Sequence, residues 1–175
     1  MIIAVLMGVS GSGKTTIGRA LAETLGAEFL EGDSFHPAAN IAKMSRGEPL
    51  DDADRRPWLD RLADELARAR VAGRSVVLTC SALKRSYRDR LRRGAPDLRL
   101  VYLKGRKALI RSRIEARKRH FMPPGLLDSQ FASLEEPRPD ESPVVIDVTP
   151  PLDIVVGQLR RLLRAAPSSA PPPAY

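Results

Sequence analysis

The stretch Gly8-Val9-Ser10-Gly11-Ser12-Gly13-Lys14-Thr15 limits the possible folds of this chain more than any other. It fits G-x-x-x-x-G-K-[ST], a glycine-rich loop whose backbone N–H groups converge on phosphate oxygens with no Cβ in the way. Such a loop belongs between a buried strand and a helix, and the flanks supply both. Ile2-Ile3-Ala4-Val5-Leu6-Met7 is a continuous apolar run, the pattern of a strand covered on both faces. Ile17, Leu21 and Leu25 follow at helical spacing, and Gly26 is a suitable stop. The helix starting near Lys14 turns its positive dipole end toward the loop. This pattern predicts a nucleotide site in which Lys14 reaches the β- and γ-phosphates and the Thr15 hydroxyl ligates Mg²⁺.

Further strand-like runs fall at residues 28–30, 75–80, 98–103 and 144–148, with helical patterns between them at 14–25, 54–72, 86–93, 107–119 and 151–164. Leu59, Leu62, Ala63, Leu66 and Ala69 give the second helix an apolar stripe, and Pro57 suits its first turn. Alternation of this kind predicts an open α/β sheet of parallel strands with helices on both faces, and ligands beyond the carboxyl ends of the strands. A length of 175 residues fits one domain. Cys80 is the sole cysteine, so no intramolecular disulfide can form, which fits a reducing cytosol. The apolar N-terminus lacks a basic leader and runs straight into the glycine loop, so it reads as a strand rather than a signal peptide. No apolar stretch is long enough to span a membrane, and a cytoplasmic protein with no membrane partner is expected. The tail, residues 167–175, is rich in Pro, Ser and Ala and is expected to be disordered.

The net charge of +8 raises the question of nucleic acid. Between Lys84 and Arg119, 15 lysines and arginines face 3 acids, so this segment holds more than the whole excess. A basic site suits an enzyme with two anionic substrates. Arg88, Arg90, Arg92 and Arg93 can also be read as a solvated helix face. The run lacks interleaved aromatics beyond Tyr87 and Tyr102, which argues against a base-stacking surface, and no nucleic-acid partner is expected. A nucleic-acid-binding protein with a vestigial phosphate loop is the reading from a different class.

At the end of the second strand stand Glu31, Gly32 and Asp33. Phosphoryl transfer to an alcohol needs a proton acceptor near the attacking hydroxyl and a metal on the phosphates. Asp33 is the candidate for the first task and Glu31, through water, for the second; the alternative is an ordinary acidic turn. The third strand ends in Thr79-Cys80-Ser81 with no metal-binding Asp, and no Asn-Lys-x-Asp occurs, which weighs against a GTPase or a motor ATPase. Arg113 and Arg117 lie four apart and lead into a Pro-containing segment. This suggests a lid that closes arginines over the triphosphate and excludes water, although the pair can equally face solvent. His36 and His120 have no cysteine partners at ligand spacing, a poor case for zinc.

Residues 31–44, Glu31-Gly32-Asp33-Ser34-Phe35-His36-Pro37 through Asn40, Lys43 and Met44, resemble the signature of the gluconokinases, small enzymes that phosphorylate D-gluconate with ATP. The likeness continues through Gly47–Leu59, resumes at Cys80–Asp89, and returns at His120-Phe121-Met122-Pro123, Leu127, Ser129-Gln130 and Leu134-Glu135. It covers nearly the whole chain except the tail. The resemblance implies a three-layer P-loop kinase fold, with a mainly parallel five-stranded sheet, a substrate-binding helical region at about residues 34–72 and a lid at about 118–136. It implies ATP and Mg²⁺ as cofactors, D-gluconate as substrate and a homodimer. It further implies that Gly8, Ser10, Gly11, Ser12, Gly13, Lys14, Thr15, Thr16, Arg113 and Arg117 bind the nucleotide. Lys14, Asp33 and Arg117 would be catalytic. Asp33, His36, Asn40, Lys43, Arg55, Lys84 and His120 would bind substrate, with Arg55 on its anionic end. A related small kinase acting on another acid, such as shikimate, is the runner-up.

Overall fold

A computed structural model describes residues 1–116 and 124–165, the side chains of 124–126 excepted. Five strands, β1 (Ile3–Met7), β2 (Glu28–Glu31), β3 (Val76–Thr79), β4 (Arg99–Lys104) and β5 (Val144–Asp147), form one parallel sheet in the order β2-β3-β1-β4-β5. The helices are α1 (Lys14–Leu25), α2 (Ala38–Ser45), α3 (Asp52–Val71), α4 (Arg85–Gly94), α5 (Lys107–Glu115), α6 (Pro124–Ser133) and α7 (Leu152–Arg164). No helix among the described residues is long and apolar enough to cross a membrane.

β1 lies between β3 and β4, and all five of its residues are buried, which is why its sequence is apolar without interruption. The two-residue period still sorts its side chains. Ile3, Val5 and Met7 join a core with Leu59, Leu62 and Leu66 of α3 and Leu91 of α4, while Ala4 and Leu6 join Ile17 and Leu21 of α1 and Val155 and Leu159 of α7 on the other face. A third, smaller cluster lies against the glycine loop, where Val9 and Leu83 meet Ile110 of α5 and Leu127 of α6, with Ile114, Phe131 and Leu134 at its margin.

Three expectations are corrected in detail. α3 begins at Asp52 rather than Asp54, because Asp51 caps it: Asp54 N–H donates to Asp51 Oδ1 (2.8 Å) and Asp51 N–H to Asp54 Oδ2 (2.9 Å). Pro57 is therefore inside the helix, beyond its first turn; the carbonyl it leaves without an i+4 donor, Ala53, is on an exposed residue where water can serve it. Arg88 does not belong to a solvated face but is 2 % exposed. Its guanidinium donates to both carboxylate oxygens of Glu141 (2.5 and 2.9 Å) and to the carbonyls of Ala82, Leu83 and Glu135.

Candidate active site

Because the strands run parallel, the segments after β1, β2 and β3 emerge at one edge of the sheet. The loop after β1 is shaped by three glycines at φ of 150° (Gly8), 81° (Gly11) and 94° (Gly13), all in the region that side chains avoid. A Cβ on Gly8 would lie 2.9 Å from Ser12 Oγ and 3.0 Å from the Leu103 carbonyl, and one on Gly11 would lie 2.7 Å from Ile114. Gly13 is the N-cap of α1, offers no side-chain cap, and no acid occupies the first turn. That leaves a helix N-terminus suited to an anion, with Thr15 and Thr16 exposed on it. Ser12 Oγ is the one buried side-chain polar atom without a hydrogen-bond partner among the described residues. Lys14 Nζ donates to the carbonyls of Gly8 and Val9, each at 3.0 Å. The Ser10 N–H is taken by Gln130 Oε1 of α6 at 2.6 Å.

Across from the loop, β2 ends beside β3. Glu31 pairs with Thr79 in register and accepts a hydrogen bond from its hydroxyl. Gly32 N–H donates to Thr79 Oγ1 (3.3 Å), and a Cβ at Gly32 would come within 2.0 Å of the Thr79 carbonyl, so no larger residue fits. A 3-10 turn over Gly32–Phe35 then presents Asp33 as an exposed residue. Trp58 of α3 fixes this turn by donating Nε1–H to the Gly32 carbonyl (2.7 Å) and by stacking on His36 at 4.2 Å between ring centroids.

His36 is buried, and burial lowers its pKa, the Asp33 carboxylate raising and the Arg55 charge lowering it in turn. Asn40 Nδ2 donates to the Asp54 carbonyl (2.8 Å) and faces His36 Nδ1 at 3.3 Å. An amide nitrogen can only donate, so Nδ1 accepts and the imidazole proton lies on Nε2.

The lysines expected at the substrate are engaged elsewhere. Lys43 Nζ lies 2.5 Å from Asp54 Oδ2, which raises the lysine pKa and lowers that of the carboxyl. Lys84 Nζ donates to both oxygens of Asp52 (2.7 and 2.9 Å), as does the Tyr87 hydroxyl to one of them, holding Asp52 below the usual carboxylate range. Arg55 Nε donates to the Leu50 carbonyl (3.3 Å), and the guanidinium lies 6.0 Å from the Tyr87 ring centre. Arg113 donates to the Val148 carbonyl (2.7 Å) at the end of β5. Arg117 and His120, the first part of the expected lid and the Pro-rich tail lie outside the described residues.

Cys80 shows which groups come together. It is 1 % exposed at the end of β3, and burial pushes its thiol up to about 12, so it is a core residue and no nucleophile. The charges acting on it are Asp33, Lys14 and Arg55. The loop bearing Lys14 and the turn bearing Asp33 thus lie at the carboxyl end of one parallel sheet, and Trp58 joins α3, which carries Arg55, to that turn. Thr79, Trp58, Tyr87, Asp52 and Gln130 each contact a residue expected in the site and were given no role from sequence. Thr79, next to the strand-ending Cys80, and Trp58, the sole tryptophan, were the available signals.

Comparison with known proteins identifies the family. A family model described as an AAA domain matches residues 3–137. The chain is similar to the thermoresistant gluconokinase of Escherichia coli (strain K12), 47% identical over 163 residues, covering 93% of each chain. Among solved structures it resembles a sugar kinase from Janibacter sp. HTCC2649 (TM-score 0.88, 47% identity, 96% of this chain and 97% of that one). It also resembles a gluconokinase from Sinorhizobium meliloti 1021 (TM-score 0.83, 47% identity, 93% of each). With a phosphate loop facing an acid-bearing turn and near-half identity along almost the full length, the chain belongs to the gluconokinase family.

Proposed function

We propose that the protein transfers the γ-phosphoryl group of ATP to the 6-hydroxyl of D-gluconate, giving 6-phospho-D-gluconate and ADP. The observation that carries this reading is that the phosphate loop after β1 and the exposed Asp33 after β2 lie at the same end of one parallel sheet, in a chain 47% identical to a gluconokinase. Gluconate is a linear polyol with a carboxylate at one end and the reacting hydroxyl at the other. Arg55 grips the carboxylate, since a guanidinium can give it two parallel hydrogen bonds. Asp33 orients the 6-hydroxyl and accepts its proton as the O6–Pγ bond forms and the bond from Pγ to the bridging oxygen of ADP breaks. Lys14 exchanges the Gly8 carbonyl for the β- and γ-phosphates while keeping that of Val9, and the loop N–H groups from Gly11 to Thr16 cradle them. His36, with its proton on Nε2, and Asn40 serve the intervening hydroxyls. Lys43 and Lys84 act there only after exchanging Asp54 and Asp52 for substrate. Arg113 and Arg117 serve the nucleotide and His120 the substrate.

Mg²⁺ belongs to the same proposal as the partner of ATP. The donor set fits: an exposed Thr15 hydroxyl at the uncapped start of α1, and the Glu31 carboxylate for a water-mediated contact. Bound there, the ion neutralises phosphate charge. A cytoplasmic location and a homodimer are carried by the family likeness. The exposed Val145 on edge strand β5 and Leu152, Ile154 and Leu162 on α7 support association.

The test is an ADP-coupled assay with ATP, Mg²⁺ and a panel of acceptors. Turnover is expected to be highest with D-gluconate, and shikimate as the better acceptor would overturn the assignment. Asp33→Asn is expected to bind ATP as the wild type does while kcat falls about 10²–10⁴-fold. Undiminished kcat in that variant would remove Asp33 from the proton transfer.

A further inference from the structure

We propose that Gln130, which no step above uses, is a positioning residue that holds Lys14 through a single peptide plane. The inference rests on the glycine loop being the nucleotide site. Gln130 Oε1 accepts the Ser10 N–H at 2.6 Å, a contact between residues 120 apart in sequence. That N–H belongs to the Val9–Ser10 peptide. The carbonyl of the same peptide, Val9 O, accepts both Lys14 Nζ (3.0 Å) and the Ser12 N–H (3.2 Å). A peptide unit is planar and rigid, so its N–H and C=O turn together. An acceptor on one side therefore fixes the direction of the carbonyl on the other, and with it the point from which the lysine reaches the phosphates. Glycines adjoin this unit in the sequence, Gly8 and Gly11, both with positive φ. Within the loop, Lys14 Nζ and the Ser12 N–H hold this peptide by its carbonyl, and Gln130 adds a hold on its N–H side from outside the loop.

Gln130 is itself well held. One turn before it, Leu127 is 4 % exposed and packs on Val9 and Ile110. Two residues before it, Asp128 pairs with Lys107 (2.8 Å) and Arg111 (3.0 Å) of α5. Just beyond α6, the Glu135 N–H donates to the Leu83 carbonyl (2.9 Å). The acceptor is thus presented from a helix fixed on both sides. A consequence follows for Ser10. With its N–H already used, the phosphate cradle of backbone donors begins at Gly11, and Ser10 contributes at most its hydroxyl.

The test uses the full chain and three variants. Gln130→Met keeps the length and packing of the side chain but removes the acceptor. Gln130→Glu keeps an acceptor, and Gln130→Ala removes both. Gln130→Met and Gln130→Ala are expected to raise KM for ATP and to lower kcat, together about tenfold or more in kcat/KM for ATP. KM for gluconate should stay within about twofold, matching the loss of one well-placed hydrogen bond. Gln130→Glu is expected to recover kcat, and the Ser10 amide proton resonance should move upfield in the Met variant but not in the Glu variant. Melting curves should stay within a few degrees of wild type for all three. Wild-type kcat and KM for ATP in the Met variant would overturn the proposal. So would an equal loss toward both substrates with a collapsed melting temperature, which would make Gln130 merely structural. Failure of the wild type itself to bind ATP would overturn the nucleotide reading, and this inference with it.

Discussion

Arg55 illustrates how much of this site depends on single side chains. It lies between the Leu50 carbonyl and the Tyr87 ring, and its charge reaches His36, Asp52 and Cys80. Arg55→Ala is expected to raise KM for gluconate about 10–100-fold, the cost of a charged hydrogen-bonded pair, with KM for ATP nearly unchanged. Equal effects in steady-state kinetics on both substrates would place Arg55 away from the carboxylate. His36 gives a pH dependence. Its pKa is lowered in the folded protein, so below the unfolded value near 6.5 the unfolded chain binds the extra proton first. The contribution of His36 to stability is complete above pH 6.5 and is lost as pH falls through the depressed value. Urea midpoints between pH 7.5 and 5 should therefore fall more steeply for wild type than for His36→Gln, and parallel curves would contradict the assignment. The place of the acid-bearing turn was legible because Asp33 stands two residues beyond a strand end. The pairing of Lys43 and Lys84 with Asp54 and Asp52 was not, since it joins residues 11 and 32 apart in sequence across separate elements.

Among the elements, the strands and the long helices could be read from periodicity, because each buries an apolar face large enough to leave a pattern. α2 left none: its only buried residue is Asn40, and it is held by the contacts of Asn40 and Lys43 with Asp54. α6 was hidden behind Pro123-Pro124-Gly125, although proline at the first position of a helix is compatible with starting one. The element most dependent on a buried polar group is the segment 82–84 after β3. Arg88 holds the carbonyls of Ala82 and Leu83 there, Ala82 itself having a φ of 44°. Burial pushes the Glu141 carboxyl up, and the hydrogen bonds from Arg88 and the Arg138 N–H, with the charges of Arg88 and Arg85, together outweigh this and leave it below the usual range. Glu141→Gln or Arg88→Met leaves one buried charge unpaired and is expected to cost about 3–5 kcal/mol, measured by denaturant unfolding. The double replacement by apolar residues should recover part of that loss. Full wild-type stability in either single variant would mean the pair is solvated in solution.

At the scale of the whole molecule, part of the basic middle of the chain is paired with acids. Arg85 pairs with Asp89 and Asp140, Arg90 with Asp60, Lys104 with Glu136, and Lys107 and Arg111 with Asp128. Exposed pairs of this kind add little stability, but they weaken the local field that a polyanion would feel. Binding to duplex or single-stranded oligonucleotides at 0.15 M salt is accordingly expected to be weaker than about 10⁻⁴ M by fluorescence anisotropy. Tight, salt-sensitive binding would revive the nucleic-acid reading. The acids responsible come mostly from segments distant in the chain, which is why a count along the run overstated its charge.

The sequence by itself determined the glycine loop, the order of the five strands and of five of the seven helices, and the acid after the second strand. Each of these is a local matter, set by backbone freedom, side-chain periodicity or the residue at a strand end. Tertiary structure alone decided which charges are spent on each other, which arginine is buried, and which side chain from α6 faces the loop. Those outcomes depend on distances between segments remote in the chain, and no short-range pattern encodes them.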